Sequence, residues 1–551
     1  LIEGGIKASQ GQEQAPDTAL SENKALSEKK KKQKFSGISK SRIIHAVPKA
    51  VSAVLLLLLL AASAGHNWAG DNFGNVAFEQ IVFHLNVPLK GTSTDMVDNI
   101  IKNIVFPVAA IWTVIILWIC IPSSKKLLLT FKLGFIDGYI QLFPLRLPVW
   151  IIVCVFVTWG VHILYQADAR YKITDYFISR SQSSKLIEEE YVSGKDARIT
   201  FPGQKRNLIC IYLESGESSA QDVENGGIFA VNYIPEMTKL AKENISFSQS
   251  EKIEGASVAP GCAWTIAGLV AETSGLPLKL PKNYNNVMGS FEYFMPRVVT
   301  LGDILEKEGY KMYFMAGSGF SFGGRERYFT QHGDYVILDY NWAKREGIIP
   351  KDYAEGWGIE DKTLYEIAKA QLTKIADNAE PFQFSILTVD THTPNGYLCE
   401  LCEDKYPVQY ANVWACASRQ LDDFVNWIRE QPFYENTTIF ICGDHLSMEP
   451  NFYQGYTLDD YSGNAVRKVY NAFINSAIEP EKETGRIFTT MDLFPTVLAS
   501  IGADIEGDRL GIGTNLFSGV PTLSEKYGNA YLFDELQKNS NFYNSLFTPE
   551  N

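Results

Sequence analysis

The chain has 551 residues and a formal net charge of −13. That length exceeds one ordinary domain, so two or three parts are expected. The acidity excludes nucleic acid as a general partner, because a phosphate backbone demands a basic surface, and it suits an extracytoplasmic body without naming a substrate.

Residues 1–42 are polar, charged and poor in aromatics, which predicts a disordered cytoplasmic tail. Three apolar runs follow in the first third of the chain, at about 43–64, 100–122 and 148–165. Each approaches the roughly 20 residues needed to cross a hydrocarbon layer of about 30 Å. Ala62-Ser63-Ala64 resembles a signal-peptide cleavage site, but the long charged stretch before it and the two later runs favour an uncleaved anchor. Lys29 to Lys34 reads KKKKQK and precedes the first run, and Lys125, Lys126, Lys132 and Arg146 lie between the second and third. Asp71, Glu79, Asp95 and Asp98 outnumber Lys90 and Lys102 between the first and second. The positive-inside rule then puts the N-terminus in the cytoplasm and everything after the third span outside. The expected organisation is a transmembrane region over 43–165, a charged linker over 166–206 and an extracytoplasmic catalytic domain over 207–551.

Beyond residue 206 the pattern alternates. NLICIYL (207–213), FQFSILTV (382–389) and TTIFIC (437–442) are short and apolar on both faces, as buried parallel strands are. Between them, DKTLYEIAKAQLTKIA and SRQLDDFVNWIRE carry apolar stripes at helical spacing. The expected fold is α/β, a mostly parallel central sheet flanked by helices. Cys210 and Cys442 fall in the strand-like runs and read as core residues. Cys399, Cys402 and Cys416 cluster outside the strands; a zinc knuckle lacks an evident fourth ligand, so one disulfide between Cys416 and a member of the Cys399/Cys402 pair is expected.

Each strand runs into chemistry: Glu214-Ser215-Gly216-Glu217, Asp390-Thr391-His392, and Gly443-Asp444-His445. Open α/β sheets bind ligands at the carboxyl ends of their strands. A turn explains any one of these motifs, but three in a chain with seven histidines are hard to assign to turns. Glu214, Asp444 and His445 supply O, O and N donors suited to Mn²⁺, Zn²⁺ or Mg²⁺. Thr265, which opens a helix-like segment after Pro260-Gly261, reads first as an N-cap. It reads also as a fourth ligand whose hydroxyl becomes nucleophilic beside a cation and a helix N-terminus that attracts phosphate. His332 lacks a motif and reads as structural, and Trp264 as packing beneath the helix.

The segments NLICIYLESGESS, GCAWTIAGLVAETSGLPL, DTHTPNGY and NTTIFICGDHLSM closely resemble the membrane-anchored phosphoglycerol transferases that decorate periplasmic glucans. More distantly they resemble lipoteichoic acid synthases, and both groups belong to the sulfatase/alkaline phosphatase-like superfamily. The likeness covers roughly residues 200–520, and FEQIVFHLNVPLKG (78–91) adds to it. It implies an enzyme of the bacterial inner membrane in which a threonine attacks phosphatidylglycerol, diacylglycerol leaves, and a glycan, glycolipid or wall-polymer hydroxyl takes the phosphoglycerol. The nucleophile it implies is Thr265; the ligands of one divalent ion, Mn²⁺ ahead of Mg²⁺ or Zn²⁺, are Glu214, Thr265, Asp444 and His445; His392 and Arg325 bind substrate. At Arg325 the pattern departs from the lipoteichoic acid synthases, which place a tryptophan where Gly323 and Gly324 stand. Alternatives of the same fold are a glycerophosphate polymerase and a phosphoethanolamine transferase, and one of another class is a non-catalytic sulfatase-like membrane protein. A true sulfatase is disfavoured, because Cys262-Ala263-Trp264-Thr265-Ile266 lacks the Cys/Ser-x-Pro-x-Arg motif.

Overall fold

A computed structural model describes residues 40–73, 76–85, 94–119, 127–133, 136–142, 149–281, 293–378, 380–449, 451–453 and 467–549. The tail expected over residues 1–42 lies almost wholly outside them. The chain divides into two compact units, residues 1–64 with 103–161 and residues 65–102 with 162–551.

Among the described residues, three helices are long and apolar enough to cross a membrane, with candidate spans Ala50–Phe73, Met96–Leu117 and Ile151–Tyr171. Their apolar side chains face outward: Leu58, Val114, Leu117 and Val157 are all more than half exposed. Such surface has no place in water, and the chain is membrane-associated. Within the first unit Trp112 donates to Ala53 O (2.8 Å) and Trp159 to Ser63 Oγ (3.1 Å). Those indole bonds tie helix to helix. The first and third spans run several residues past the apolar stretches read from sequence; the third helix, Val149–Tyr171, continues into the stretch expected to be a linker. That stretch is itself largely helical, at Ile173–Ser181 and Leu186–Glu190.

The second unit is built on a six-stranded sheet. Its strands are β1 (Asn207–Leu213), β2 (Lys311–Ala316), β3 (Val336–Leu338), β4 (Phe382–Leu387), β5 (Thr437–Gly443) and β6 (Asn471–Ile474). Their spatial order is β3-β2-β4-β1-β5-β6, parallel except for antiparallel β6 at the edge. Side chains alternate across the pleat. Leu208, Cys210 and Tyr212 enter one buried layer with the helices α1 (Thr265–Ser274) and, later in the chain, Leu493–Ser500. Ile209, Ile211 and Leu213 enter the opposite layer with α2 (Asp361–Ala376) and α3 (Gln409–Arg429). Both faces are covered, which is why the strands read as unbroken apolar runs.

The expected disulfide is not formed. Cys399 Sγ lies 3.7 Å from Cys402 Sγ and 3.8 Å from Cys416 Sγ, and none of the three is disulfide-bonded. Three convergent sulfurs leave none uniquely paired.

Candidate functional site

The β1–β5 register pairs Leu213 with Gly443, so the strands end side by side and their next residues meet. The approach is close. A Cβ on Gly443 would sit 1.8 Å from Gly216 O, and one on Gly216 would sit 2.6 Å from Gly443 Cα. Glycine is required at both places to let the two loops cross. Between them Ser215 takes a left-handed backbone (φ 56°), a conformation costing a non-glycine residue about 1 kcal/mol or more. The strain has a use: Ser215 N–H is aimed at Asp444 Oδ1 (2.8 Å), and Ser215 Oγ donates to Glu214 Oε1 (2.9 Å).

Glu214, Asp444 and His445 are all buried, with one donor atom from each within 4.8 Å of the others. His445 Nδ1 is 2.8 Å from Leu446 O, and a carbonyl only accepts, so Nδ1 carries the proton. Nε2 therefore presents its lone pair inward, 3.5 Å from both Glu214 Oε1 and Asp444 Oδ2. Orienting a ring through its far nitrogen is how ligand histidines are held.

A buried pair of carboxylates needs positive charge between them. Asp444 Oδ2 is buried and has no hydrogen-bond partner. Burial first, then the charge of Glu214, pushes the Asp444 carboxyl up to about 7. For His445, burial lowers the proton affinity, but the carboxylates of Asp444 and Glu214 outweigh it and the net direction is up. An orphaned carboxylate oxygen facing an O/O/N set with an inward imidazole lone pair fits a divalent cation. Both groups must lose protons to bind one. The apparent metal affinity is therefore expected to rise as pH rises through about 7, by roughly tenfold or more per unit below that point and flattening above it. Chelator-competition titrations at pH 6 and pH 8 check this, and equal affinities at the two pH values would contradict the assignment.

Thr265 is brought to the same place. It is the first residue of α1 and not its cap: Trp264 holds the N-cap position, with no side-chain cap bond. The capping reading thus gives way, because a hydroxyl within the first turn is free to point elsewhere. Thr265 Oγ1 lies 3.5 Å from Glu214 Oε2 and 3.4 Å from His445 Nε2. The helix is held against the cluster at Gly268, where an added Cβ would fall 1.8 Å from Asp444 O.

These groups open into a cavity of about 70 Å³ lined by Glu214, Thr265, Arg325, His392, Trp357 and His84, among others. Arg325, less clearly marked in the sequence, is buried and reaches Ser318 Oγ (3.1 Å), Gly319 O (2.9 Å) and Phe322 O (3.2 Å). Burial lowers its guanidinium to about 10, with Glu214 and Asp444 acting to raise it, and it stays charged at neutral pH. Gly323 and Gly324, both with positive φ, make the turn that delivers it. His392 spends Nδ1–H on Thr393 O (2.6 Å) and packs against Trp357 with ring centroids 4.1 Å apart. Burial lowers its pKa. All six residues expected at the site are thus together.

His84, Gln80 and Trp357 are among the lining residues that escaped the sequence reading. His84 and Gln80 lie on the short helix Phe78–Leu85, and Trp357 lies in a loop before α2. That short helix belongs to the same compact unit as the sheet, and its Phe83 packs on Trp264 with centroids 5.2 Å apart. The only signal was FEQIVFHL within a resemblance. Cys210 and Cys442 are fully buried in the strands, and His332 is held by Asp303 Oδ2 (2.9 Å) and Phe294 O (2.8 Å), as expected of structural residues. A second cavity of about 960 Å³ shares Gln80, Trp264 and Met448 with the first and is lined further by Phe78, Tyr176 and Ile178.

Residues 206–503 match the family model described as Sulfatase. The chain belongs to the sulfatase family. Among curated relatives of this sulfatase-family chain is phosphoglycerol transferase I of Salmonella choleraesuis (strain SC-B67), 30% identical over 342 residues that cover 61% of this chain and 42% of that protein. The protein of the same name from Escherichia coli O6:K15:H31 (strain 536 / UPEC) is 30% identical over 345 residues, with the same coverage. The chain thus spans less than half the length of these relatives. Among solved structures, the lipoteichoic acid synthase LtaP from Listeria monocytogenes is similar at a TM-score of 0.45 and 16% identity, covering 61% of this chain and 81% of that one.

Proposed function

We propose that this chain is a phosphotransferase that moves phosphoglycerol from phosphatidylglycerol to a hydroxyl of a glycan or glycolipid, through a glycerophospho-threonine at Thr265. One observation carries the reading: a threonine hydroxyl at a helix N-terminus, beside a cation-fitting cluster, in a cavity that also holds a buried arginine and a histidine. The relatives named phosphoglycerol transferase I supply the headgroup. A lipid donor requires a site near a membrane, which the three apolar helices support, and the large cavity beside the site offers apolar room for a lipid. The same reading makes the chain a multi-pass protein of the bacterial inner membrane, with residues 43–165 as its transmembrane region and the catalytic domain from 207 onward outside the cytoplasm.

Glu214, Asp444, His445 and Thr265 would hold the divalent ion, Mn²⁺ by preference. Bound there, it would acidify the threonine hydroxyl and stabilise charge on the phosphoryl oxygens. Thr265 Oγ1 forms a bond to phosphorus as the bond to the diacylglycerol oxygen breaks. The open end of α1 and the Arg325 guanidinium face the phosphate charge. In the second half the acceptor oxygen attacks phosphorus and the Thr265–phosphorus bond breaks, leaving the Thr265 oxygen deprotonated for the next cycle. His392, with Nδ1–H already committed and burial favouring the neutral ring, offers Nε2 to take the acceptor's proton. That proton is the one diacylglycerol oxygen needs in the next cycle. A covalent carrier lets one site serve a lipid and then a polar substrate.

The test is incubation of the full-length protein with phosphatidylglycerol carrying a labelled glycerol, without acceptor, followed by peptide mass spectrometry. A glycerophosphate increment on Thr265 with release of diacylglycerol is expected. An ethanolamine phosphate adduct from phosphatidylethanolamine, with none from phosphatidylglycerol, would replace the reading with that of a phosphoethanolamine transferase.

A further inference from the structure

Three thiols meet away from the catalytic cluster. Cys399 and Cys402 lie on either side of a tight turn closed by Cys402 N–H to Cys399 O (3.0 Å), and Cys416 projects from α3. Cys399 and Cys416 are buried and Cys402 half-buried, and one sulfur from each lies within 4.8 Å of the other two. The two separations, 3.7 and 3.8 Å, are far too long for a disulfide of about 2.05 Å. They equal the edge of a tetrahedron of sulfurs around an ion with metal–sulfur bonds of about 2.3 Å, which is about 3.8 Å.

A polar donor reaches two of the sulfurs. Gln420 Nε2 donates to Cys416 Sγ (3.3 Å) and to Cys399 Sγ (3.8 Å). An amide donor shared by two buried sulfurs stabilises negative charge there.

We propose that Cys399, Cys402 and Cys416 form a second metal site, a three-thiolate seat for a thiophilic d¹⁰ cation of the Zn²⁺ class, distinct from the oxygen- and nitrogen-donor cluster at Glu214, Asp444 and His445. Binding displaces the remaining thiol protons to solvent. The fourth position opens on the half-buried Cys402 side, where an exchangeable ligand such as water completes the tetrahedron. The consequence is mechanical. The loop leaving β4 carries His392 into the catalytic cavity, and its far end is the Cys399–Cys402 turn; an ion shared with Cys416 clamps that loop to α3.

Co²⁺ serves as the probe, since thiolate ligation gives it a near-ultraviolet charge-transfer band that oxygen and nitrogen donors do not. The full-length protein in detergent, purified without chelator and reduced, is titrated with Co²⁺. We expect a band that saturates near about one equivalent, is bleached by Zn²⁺, persists in Asp444→Asn, and is lost in Cys402→Ser. Absence of the band in the reduced wild-type protein overturns the proposal without recourse to any variant. So does a band unchanged in Cys402→Ser, or a disulfide joining two of the three residues in the protein as isolated, found by non-reducing peptide mapping.

Discussion

Replacing Thr265 with alanine is expected to lower turnover of phosphatidylglycerol by about 10⁴- to 10⁶-fold, the range seen when a covalent nucleophile is removed. Fold stability should hardly move. The side chain is partly exposed, it caps nothing, and alanine is the better helix former by at most about 0.7 kcal/mol. That separation of effects is what makes the variant informative. A hydroxyl serving the helix as a cap would instead cost stability of about 1 kcal/mol while sparing chemistry. Thr265→Ser keeps an oxygen at the same position, 3.5 Å from Glu214 and 3.4 Å from His445 in the threonine protein, and should retain both the covalent adduct and measurable transfer. Diacylglycerol release and the mass of the residue-265 peptide read both outcomes. An alanine variant that turns over near the wild-type rate would remove the threonine from the mechanism.

How far the sequence foretells this site depends on how each residue reaches it. Glu214, His392, Asp444 and His445 follow apolar runs whose strand character is plain, and a parallel sheet collects the ends of its strands at one edge. Their convergence is therefore legible from local pattern plus one topological rule. Thr265 is legible as the opening of a helix, though not in its relation to the cap, because a shift of one residue lies below what spacing resolves. His84 is different in kind. It comes from a short helix 130 residues before Glu214, flanked by apolar runs that read as membrane spans, and nothing local distinguishes it from any interspan histidine. The packing of Phe83 on Trp264 and of His84 itself on Phe322 brings it in. The cysteines show a third case. Their proximity could be read from composition, but disulfide and thiolate cluster differ by less than 2 Å between sulfurs, which sequence does not carry.

A strongly destabilising single change follows from the buried pair Glu217–Arg467. Glu217 stands three residues beyond Glu214, and Arg467 precedes β6; both are nearly inaccessible. Arg467 Nε donates to Glu217 Oε2 at 2.9 Å, the terminal nitrogen reaches Glu217 Oε1, and the guanidinium lies 3.8 Å over the Tyr453 ring. The same two residues grip the loop after the metal-fitting aspartate and histidine: Ser447 N–H donates to Glu217 Oε1 (2.6 Å), and Arg467 donates to Ser447 O (2.8 Å). Arg467→Met strands a carboxylate in the core and frees that loop. Breaking a buried pair from one side costs about 3–5 kcal/mol, and Tm should fall by on the order of 10 °C. Activity should fall further than stability alone explains, since Asp444 and His445 lose their brace. Removing both charges, as Arg467→Met with Glu217→Gln, deletes the uncompensated carboxylate and should recover more than half of the lost stability while leaving Ser447 N–H a partner. Thermal denaturation of the single and double variants measures the difference directly. Equal losses in the two would mean that packing around Tyr453, and not the stranded charge, is what Arg467 supplies.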